Sequence, residues 1–231
     1  MIIKHPEMAQ IEGLTALWVE AFEEPKEAAQ CFFDSAFDPG RSLVCLEGDA
    51  VAAGLYWFDC LWKGRKVAYI YAVGTRIAHR GKGLCHALME KTHEVLKSRG
   101  YHGAILVPAE ESLFGFYGKM GYVSCCPGGI PGEKLTAQRE REMGLTPISM
   151  EEYLEKQKQL LPKDAVVHTA TAYEYLKHFA EFYAYDGGIV CKIEEDIQER
   201  LPWDGRGEMA SMYLPLTEDT TLPTYFAHPL A

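Results

Sequence analysis

The stretch His79-Arg80-Gly81-Lys82-Gly83-Leu84-Cys85-His86, read HRGKGLCH, follows the apolar run at residues 67–73 (VAYIYAV) and opens a long helical pattern. From Gly83 onward Leu84, Ala87, Leu88, Val95 and Leu96 recur on one helical face. Lys97 and Arg99 then give a basic last turn, and Gly100 suits the C-terminal cap. A basic, glycine-studded turn therefore joins a strand to a helix.

Upstream, residues 42–75 (SLVCLEGDAVAAGLYWFDCLWKGRKVAYIYAVGT) hold three apolar or alternating runs separated by Glu47-Gly48-Asp49 and Lys63-Gly64-Arg65. Both separators have hairpin composition, so the region reads as an antiparallel meander. Before it lie a short strand (MIIKHP), a helix from Glu7 to Phe22 and a second helix after Pro25 that runs through Phe32 and Phe33 to about Phe37. Downstream come a short strand (HGAILVP), a helix (EESLFGFYGKM) and another strand (GYVSCC). This order predicts an α/β (α+β) fold: a mixed, mainly antiparallel sheet flanked by helices. The unit is expected to span residues 1–126, with residues 127–231 as a C-terminal α+β appendage completing the fold or the acceptor site.

The appendage begins in the connector CPGGIPGEK. Ser149 with Glu152, and Thr171 with Glu174, have capping-box spacing before YLEKQKQLLP and YLKHFAEFYAY, which predicts two helices. GGIVCKI and GEMASMYLPL read as strands, with Trp203-Asp204-Gly205 between them.

The chain has 231 residues, 48% of them hydrophobic, enough for an ordinary globular core. Its 23 basic and 33 acidic residues leave a net charge of −10, which disfavours nucleic acid as a partner and favours cationic small molecules. No segment approaches the roughly 18 uninterrupted apolar residues of a membrane span. The seven cysteines lack C-x-x-C spacing and read as reduced thiols, so a cytoplasmic location is expected.

HRGKGLCH does not fit a P-loop, because Arg76 stands where the first glycine belongs and Gly83 follows Lys82. Nor does it fit a dinucleotide fingerprint, because His86 occupies the place of the third glycine. What remains is a turn whose backbone N–H groups, helix N-terminus, Arg80 and Lys82 can face an anion.

Arg80-Gly81-Lys82-Gly83-Leu84-Cys85 after a strand, the short strand AILVP, and FYGKMGY together resemble the GNAT superfamily of acetyl-CoA-dependent N-acetyltransferases. LVPAEESLFGFYGKMGY is similar to its enhanced-intracellular-survival (Eis-like) branch. The resemblance implies that the amides of Arg80, Gly81, Lys82, Gly83, Leu84 and Cys85 hold the pyrophosphate of coenzyme A. It implies that Val73, Gly74 and Thr75 pair with the pantetheine arm, where this strand and the one at residues 104–107 splay apart. Tyr117 would then protonate the leaving thiolate. Two departures stand out: Cys85 replaces a usual Gly or Ala, and Ile77 stands where proline is common. In the Eis-like branch the C-terminal carboxylate can serve as base, which makes Ala231 a candidate.

For the general base, Glu110, Glu111, Asp59 and Glu47 are the acids near expected strand ends, with Glu110 first because its loop borders the splay. Trp57, Phe58, Tyr69 and Tyr71 are candidates to line an acceptor pocket. His79, His86 and His93 recur at intervals of seven and read as a polar, exposed helix face; no metal site is expected. Cys85 reads as a packed, unreactive thiol. The expected function is transfer of an acetyl group from acetyl-CoA to a small amine by direct attack. The alternative is a noncatalytic acyl-CoA-sensing module on the same scaffold, and a homodimer is one assembly the appendage could make.

Overall fold

The computed structural model describes residues 1–127, 132–193, 196–202, 204 and 210–227. In chain order the strands are β1 (Ile2–Lys4), β2 (Ser42–Glu47), β3 (Ala50–Trp62), β4 (Arg65–Thr75), β5 (Gly103–Leu106), β6 (Val123–Cys126) and β7 (Gly132–Lys134). They continue as β8 (Thr146–Pro147), β9 (Ala165–His168), β10 (Ala180–Tyr185), β11 (Gly188–Ile193), β12 (Asp196–Arg200), β13 (Ser211–Pro215) and β14 (Tyr225–Ala227). The helices are α1 (Ile11–Phe22), α2 (Lys26–Ser35), α3 (Leu84–Ser98), α4 (Ser112–Gly118), α5 (Ala137–Glu142), α6 (Met150–Gln157) and α7 (Ala170–Leu176).

The first sheet runs β1-β2-β3-β4-β5-β13-β6, antiparallel except for the β4–β5 pair. Its meander turns where the sequence places them: Lys63 and Gly64 both take positive φ, 51° and 75°. Strand β3 is buried on both faces. Tyr56 packs with Trp18 of α1 and Phe32 of α2, Phe58 with Phe32, and Trp62 with Tyr213, while Leu55 and Trp57 lie on the opposite side in one cluster with Leu88 and Leu96 of α3. A Cβ on Gly54 would lie 2.9 Å from Leu14 Cδ2, and one on Gly74 would lie 3.2 Å from Ala21 Cβ. These two glycines pair across β3 and β4, so α1 can approach the sheet closely.

After β6 the chain builds a second, antiparallel sheet, β7-β12-β11-β10-β8, and then returns. Strand β13 enters the first sheet between β5 and β6. Strand β9 takes the edge of β3 at Cys60 and Leu61, beyond the point where β2 has ended at Tyr56, and β14 adds to it in parallel. The interior position of β13 has a measurable consequence. A Cβ on Gly103 would sit 2.0 Å from Tyr213 Oη, and Tyr213 is fully buried. Gly103→Ala should therefore destabilise the protein by about 2–3 kcal/mol, read as a lowered urea midpoint at unchanged m.

Two expectations for the appendage need correction. Thr171 is not a cap: α7 starts after Thr169, whose extended backbone and hydroxyl bond to the Asp59 carbonyl. Nor does YLKHFAEFYAY stay helical. Its first half ends α7 at Leu176, while Ala180–Tyr185 alternates buried Ala180 and Phe182 with exposed Glu181 and pairs with β11 as β10. Ser149 does cap α6, accepting from the Glu152 amide at 3.1 Å. Trp203 and Gly205, with the first residues of GEMASMYLPL and part of the connector after Pro127, lie outside the described residues.

Candidate active site

Pairing between β4 and β5 stops at Tyr69 with Ile105, yet β4 continues to Thr75. Its last residues stay bonded to β3 through a bulge, where the register shifts between Gly54 and Tyr56. Ala72 sits in that bulge at φ 48°, a conformation that costs a non-glycine residue about 1 kcal/mol. Before the bulge Tyr71 packs in the α1 and α2 cluster, and beyond it Val73 belongs to the α3 cluster. The two strands thus splay, leaving a β4 edge beside a gap.

At the end of β4 the chain is clamped. The Arg76 amide donates to the Ala52 carbonyl at 2.9 Å, its guanidinium meets Glu20 at 2.8 Å, and Glu20 also accepts from the Ile77 amide at 2.6 Å. Those contacts, the amide bond first, hold the Glu20 carboxyl below its ordinary range. After the single turn Ile77–His79, Gly81 and Gly83 adopt φ 75° and 77°, and Gly83 is the N-cap of α3. Nothing lies within 4 Å of the Cβ position of either glycine. Among the described residues, the amides of Gly81, Lys82, Gly83, Leu84, Cys85 and His86 have no intramolecular acceptor. The result is an open row of N–H donors at the head of a 15-residue helix, which fits an anionic diphosphate. The Arg80 amide, expected in this row, is not free: it donates to the Ile77 carbonyl at 3.2 Å; Arg80 Nε donates to the Thr75 carbonyl at 3.2 Å, and Lys82 Nζ lies 3.5 Å from Glu47.

The turn, the β4 edge and the tyrosine helix meet. A cavity of about 240 Å³ is lined by Val73, Gly74, Thr75, Arg80, Cys85 and Tyr117, together with Ala21, Leu113 and Phe116. Tyr117 is 7% exposed, and among the described residues its hydroxyl has no hydrogen-bond partner. Burial, and then the neighbouring Cys85 thiol, push its phenol above the ordinary value, so it stays protonated. Burial likewise pushes Cys85 up to about 11, consistent with a packed thiol. Ala21, Leu113 and Phe116 had no distinguishing signal in the sequence, and neither did the bulge at Ala72.

Other candidates lie outside this cavity. Glu110 is exposed and accepts from the Ser112 hydroxyl, and Glu111 precedes α4 as its N-cap residue. Asp59 is paired with Arg41 at 3.0 Å and accepts from Tyr101. Glu47 accepts from His79 at 2.6 Å, a bond that, with Lys82, keeps its carboxyl below the usual range. Trp57 faces away from Phe58, Tyr69 and Tyr71, donating to the Tyr101 hydroxyl at 3.3 Å. Ala231 lies outside the described residues.

The three histidines do not form an exposed face. His79 precedes α3, His86 is the exposed member, and His93 is half-buried with Nε2 3.0 Å from the Tyr122 hydroxyl. Burial first, then Lys97 and His86, lower the pKa of His93 from 6.5 to about 4. Between those values the unfolded chain binds a proton that the folded chain refuses, so stability falls as pH drops through that window, by at most about 3 kcal/mol. His93→Gln should flatten this dependence in denaturant titrations between pH 6.5 and 4. Among the described residues no group of three or more His, Cys, Asp or Glu could hold a metal, and no helix is long and apolar enough to cross a membrane.

Comparison with known proteins agrees with this architecture. No curated protein matches the chain. Among solved structures, a GCN5-related N-acetyltransferase from Kribbella flavida superposes with a TM-score of 0.62 at 18% identity, covering 94% of this chain and 65% of that one. Eis1 from Mycobacterium abscessus gives 0.62 at 17% identity, covering 83% of this chain and 53% of its own. This chain therefore spans between half and two thirds of the length of those two proteins. The GNAT family N-acetyltransferase YhbS from Escherichia coli, solved in complex with CoA, gives 0.54 at 14% identity, covering 98% and 89%. At such identities the likeness is one of fold, a mixed sheet flanked by helices. The family model described as an acetyltransferase (GNAT) domain matches residues 3–125, more than half of the sequence, and the chain belongs to the GNAT acetyltransferase family.

Proposed function

We propose that the protein transfers the acetyl group of acetyl-CoA to the nitrogen of a small amine by direct attack, with Tyr117 as general acid. The observation that carries this reading is the cavity in which the free edge of β4, the amide row ahead of α3 and the Tyr117 phenol converge. Acetyl-CoA supplies an activated thioester. The amides of Gly81, Lys82, Gly83, Leu84 and Cys85 would bind its pyrophosphate, with Arg80 and Lys82 adding positive charge. The backbone of Val73, Gly74 and Thr75 would pair with the pantetheine amides, orienting the carbonyl at the splay. Tyr117 holds a proton on Oη for the departing sulfur.

The cavity itself supports that last role. Cys85 shows what burial there does to a thiol, raising its pKa to about 11. A thiolate released into the same surroundings is more basic than in water, and Tyr117, itself raised by the same burial, is the protonated donor that lines the cavity beside it. Residues 127–231 fit this reading as part of the working unit, since β13 fills the first sheet and Tyr175 of α7 packs against Phe32 near the splay. A base role for Glu110 would have to run through water from outside the cavity.

The test is release of free CoA from acetyl-CoA across amines, amino sugars and peptides, alongside the thermal shift caused by CoA. Acceptor-dependent release is the expected result. A CoA-induced shift with no release for any acceptor would instead favour the sensing module.

A further inference from the structure

Near its end β6 breaks the alternation of a regular strand. Its ladder with β13 pairs Val123 with Tyr213 and Ser124 with Met212, then passes over Cys125 and resumes at Cys126 with Ser211. Cys125 is the extra residue of a bulge, and a bulge re-aims a side chain that pleating would send to the opposite face. Both thiols consequently pack on one core cluster, with their Sγ atoms 3.2 Å apart. Just past them the Pro127 carbonyl accepts from the Phe226 amide at 3.0 Å, which pins the backbone that carries the pair.

Their surroundings limit what the two sulfurs can do. Cys125 is partly exposed and Cys126 is buried, so one sulfur is reachable from solvent and the other backs it. Cys125 also donates to the Ser211 carbonyl at 3.6 Å. Its hydrogen bond with Cys126, and then burial, hold the Cys125 thiol above the ordinary range, so it stays protonated. Ser211 is fully buried opposite Cys126, and among the described residues its hydroxyl has no hydrogen-bond partner. A ligand held by the thiols can supply the bond that this hydroxyl lacks.

We propose that Cys125 and Cys126 form a chelating site for trivalent arsenic, as arsenite or an organoarsenical, with Ser211 beside it. The site is independent of the acetyl-transfer reading. With arsenous acid, two arsenic–sulfur bonds form and two arsenic–hydroxyl bonds break. Each hydroxyl leaves with a thiol proton as water, so arsenic stays trivalent and no electron is transferred. The third hydroxyl remains on arsenic and gives Ser211 Oγ its partner. This chemistry suits protonated thiols. A divalent metal would have to displace both protons, and among the described residues no group of three or more His, Cys, Asp or Glu stands ready to complete its shell. The spacing agrees. A tetrahedral metal with bonds of about 2.3 Å sets its sulfurs about 3.8 Å apart, wider than the 3.2 Å here, whereas pyramidal arsenic, with its lone pair, takes a narrower bite.

The experiment titrates the reduced full chain, freed of reductant, with phenylarsine oxide and with arsenite at neutral pH. Intact mass should show one arsenical bound per chain. Alkylation in denaturant should then leave two of the seven thiols unlabelled, both in the peptide that carries Cys125 and Cys126. A dithiol should release the arsenical and a monothiol should not, because the second arsenic–sulfur bond forms within the chain. Cys125→Ser and Cys126→Ala should each lower affinity for phenylarsine oxide by about 100-fold or more, whereas Cys31→Ser, which removes a half-buried thiol on α2, should not change it. Cys125→Ser, at the partly exposed position, keeps the test decisive if the buried substitution disturbs the fold. Ser211→Ala should weaken arsenite by about tenfold and leave phenylarsine oxide, which carries a ring in place of the third hydroxyl, unchanged. Arsenic bound at other cysteines, release by a monothiol, or equal affinity in Cys125→Ser and the wild type overturns the proposal. Equal arsenite affinity in Ser211→Ala removes Ser211 from the site.

Discussion

Replacing Tyr117 by phenylalanine is expected to lower turnover by about 10²–10³-fold while leaving affinity for CoA within about twofold. The asymmetry follows from where the hydroxyl sits. Phenylalanine keeps the ring packing against Phe116 and Tyr122, whose centroids lie 5.2 and 5.8 Å away, so the cavity wall should persist. Only the proton donor is lost, and it acts on a charge that exists at the transition state and not in the bound ground state. Steady-state CoA release with calorimetric CoA affinities measures both sides. The pH profile gives a second check. Burial holds the Tyr117 proton well past the range of a free phenol, so wild-type turnover should show no decline as pH passes 10, where an unperturbed tyrosine would ionise. A twofold effect of the substitution, or an alkaline limb near 10, would remove the residue from proton transfer.

Gly83→Val is expected to weaken CoA binding by about 100-fold or more. At φ 77° a β-branched residue is strained by about 1–2 kcal/mol, and its side chain projects into the open space in front of the amide row. Losing two charge-assisted hydrogen bonds, at about 1.5 kcal/mol each, accounts for the predicted factor. Gly64→Val supplies the control, because Gly64 has φ 75° and an equally open Cβ position but lies in the β3–β4 hairpin. Both variants should lose similar thermal stability, and only Gly83→Val should lose CoA. Equal CoA affinities in the two variants would show that the turn does not hold the diphosphate.

The parts of this molecule that were legible in its sequence are those set by local chemistry. Gly48, Gly64, Gly81, Gly83 and Gly100 all take positive φ, so the hairpins, the turn and the end of α3 follow from the backbone freedom of glycine. The apolar periodicity of α1 and α3 and the double-sided burial of β3 have equally local causes. Tyr117 was identified by resemblance, since nothing in its spacing separates it from Phe114 or Phe116.

What could not be read depends on distant pairing. Strand β13 fits between β5 and β6, and β9 finds the exposed edge of β3, through contacts about a hundred residues apart in the chain, which no local pattern encodes. Strand β12 has charged residues at three of its five positions, Asp196, Glu199 and Arg200, so its apolar signal is weak. The placement of Ala21 in the cavity needs α1 to rest directly on Gly54 and Gly74, and only the folded sheet reveals that those glycines are partners. Ala72 gives no warning of a positive φ, because alanine, unlike glycine, disfavours that conformation.

The central claim is that the turn between β4 and α3 holds coenzyme A with its thioester end toward Tyr117. A crystal structure of the full chain with bound CoA tests it most directly. The predicted result is a pyrophosphate about 3 Å from the amide nitrogens at Gly81, Gly83 and Cys85, with the sulfur beside Tyr117 Oη in the gap past Tyr69. A pyrophosphate bound elsewhere on the chain, or a sulfur remote from Tyr117, would contradict the account.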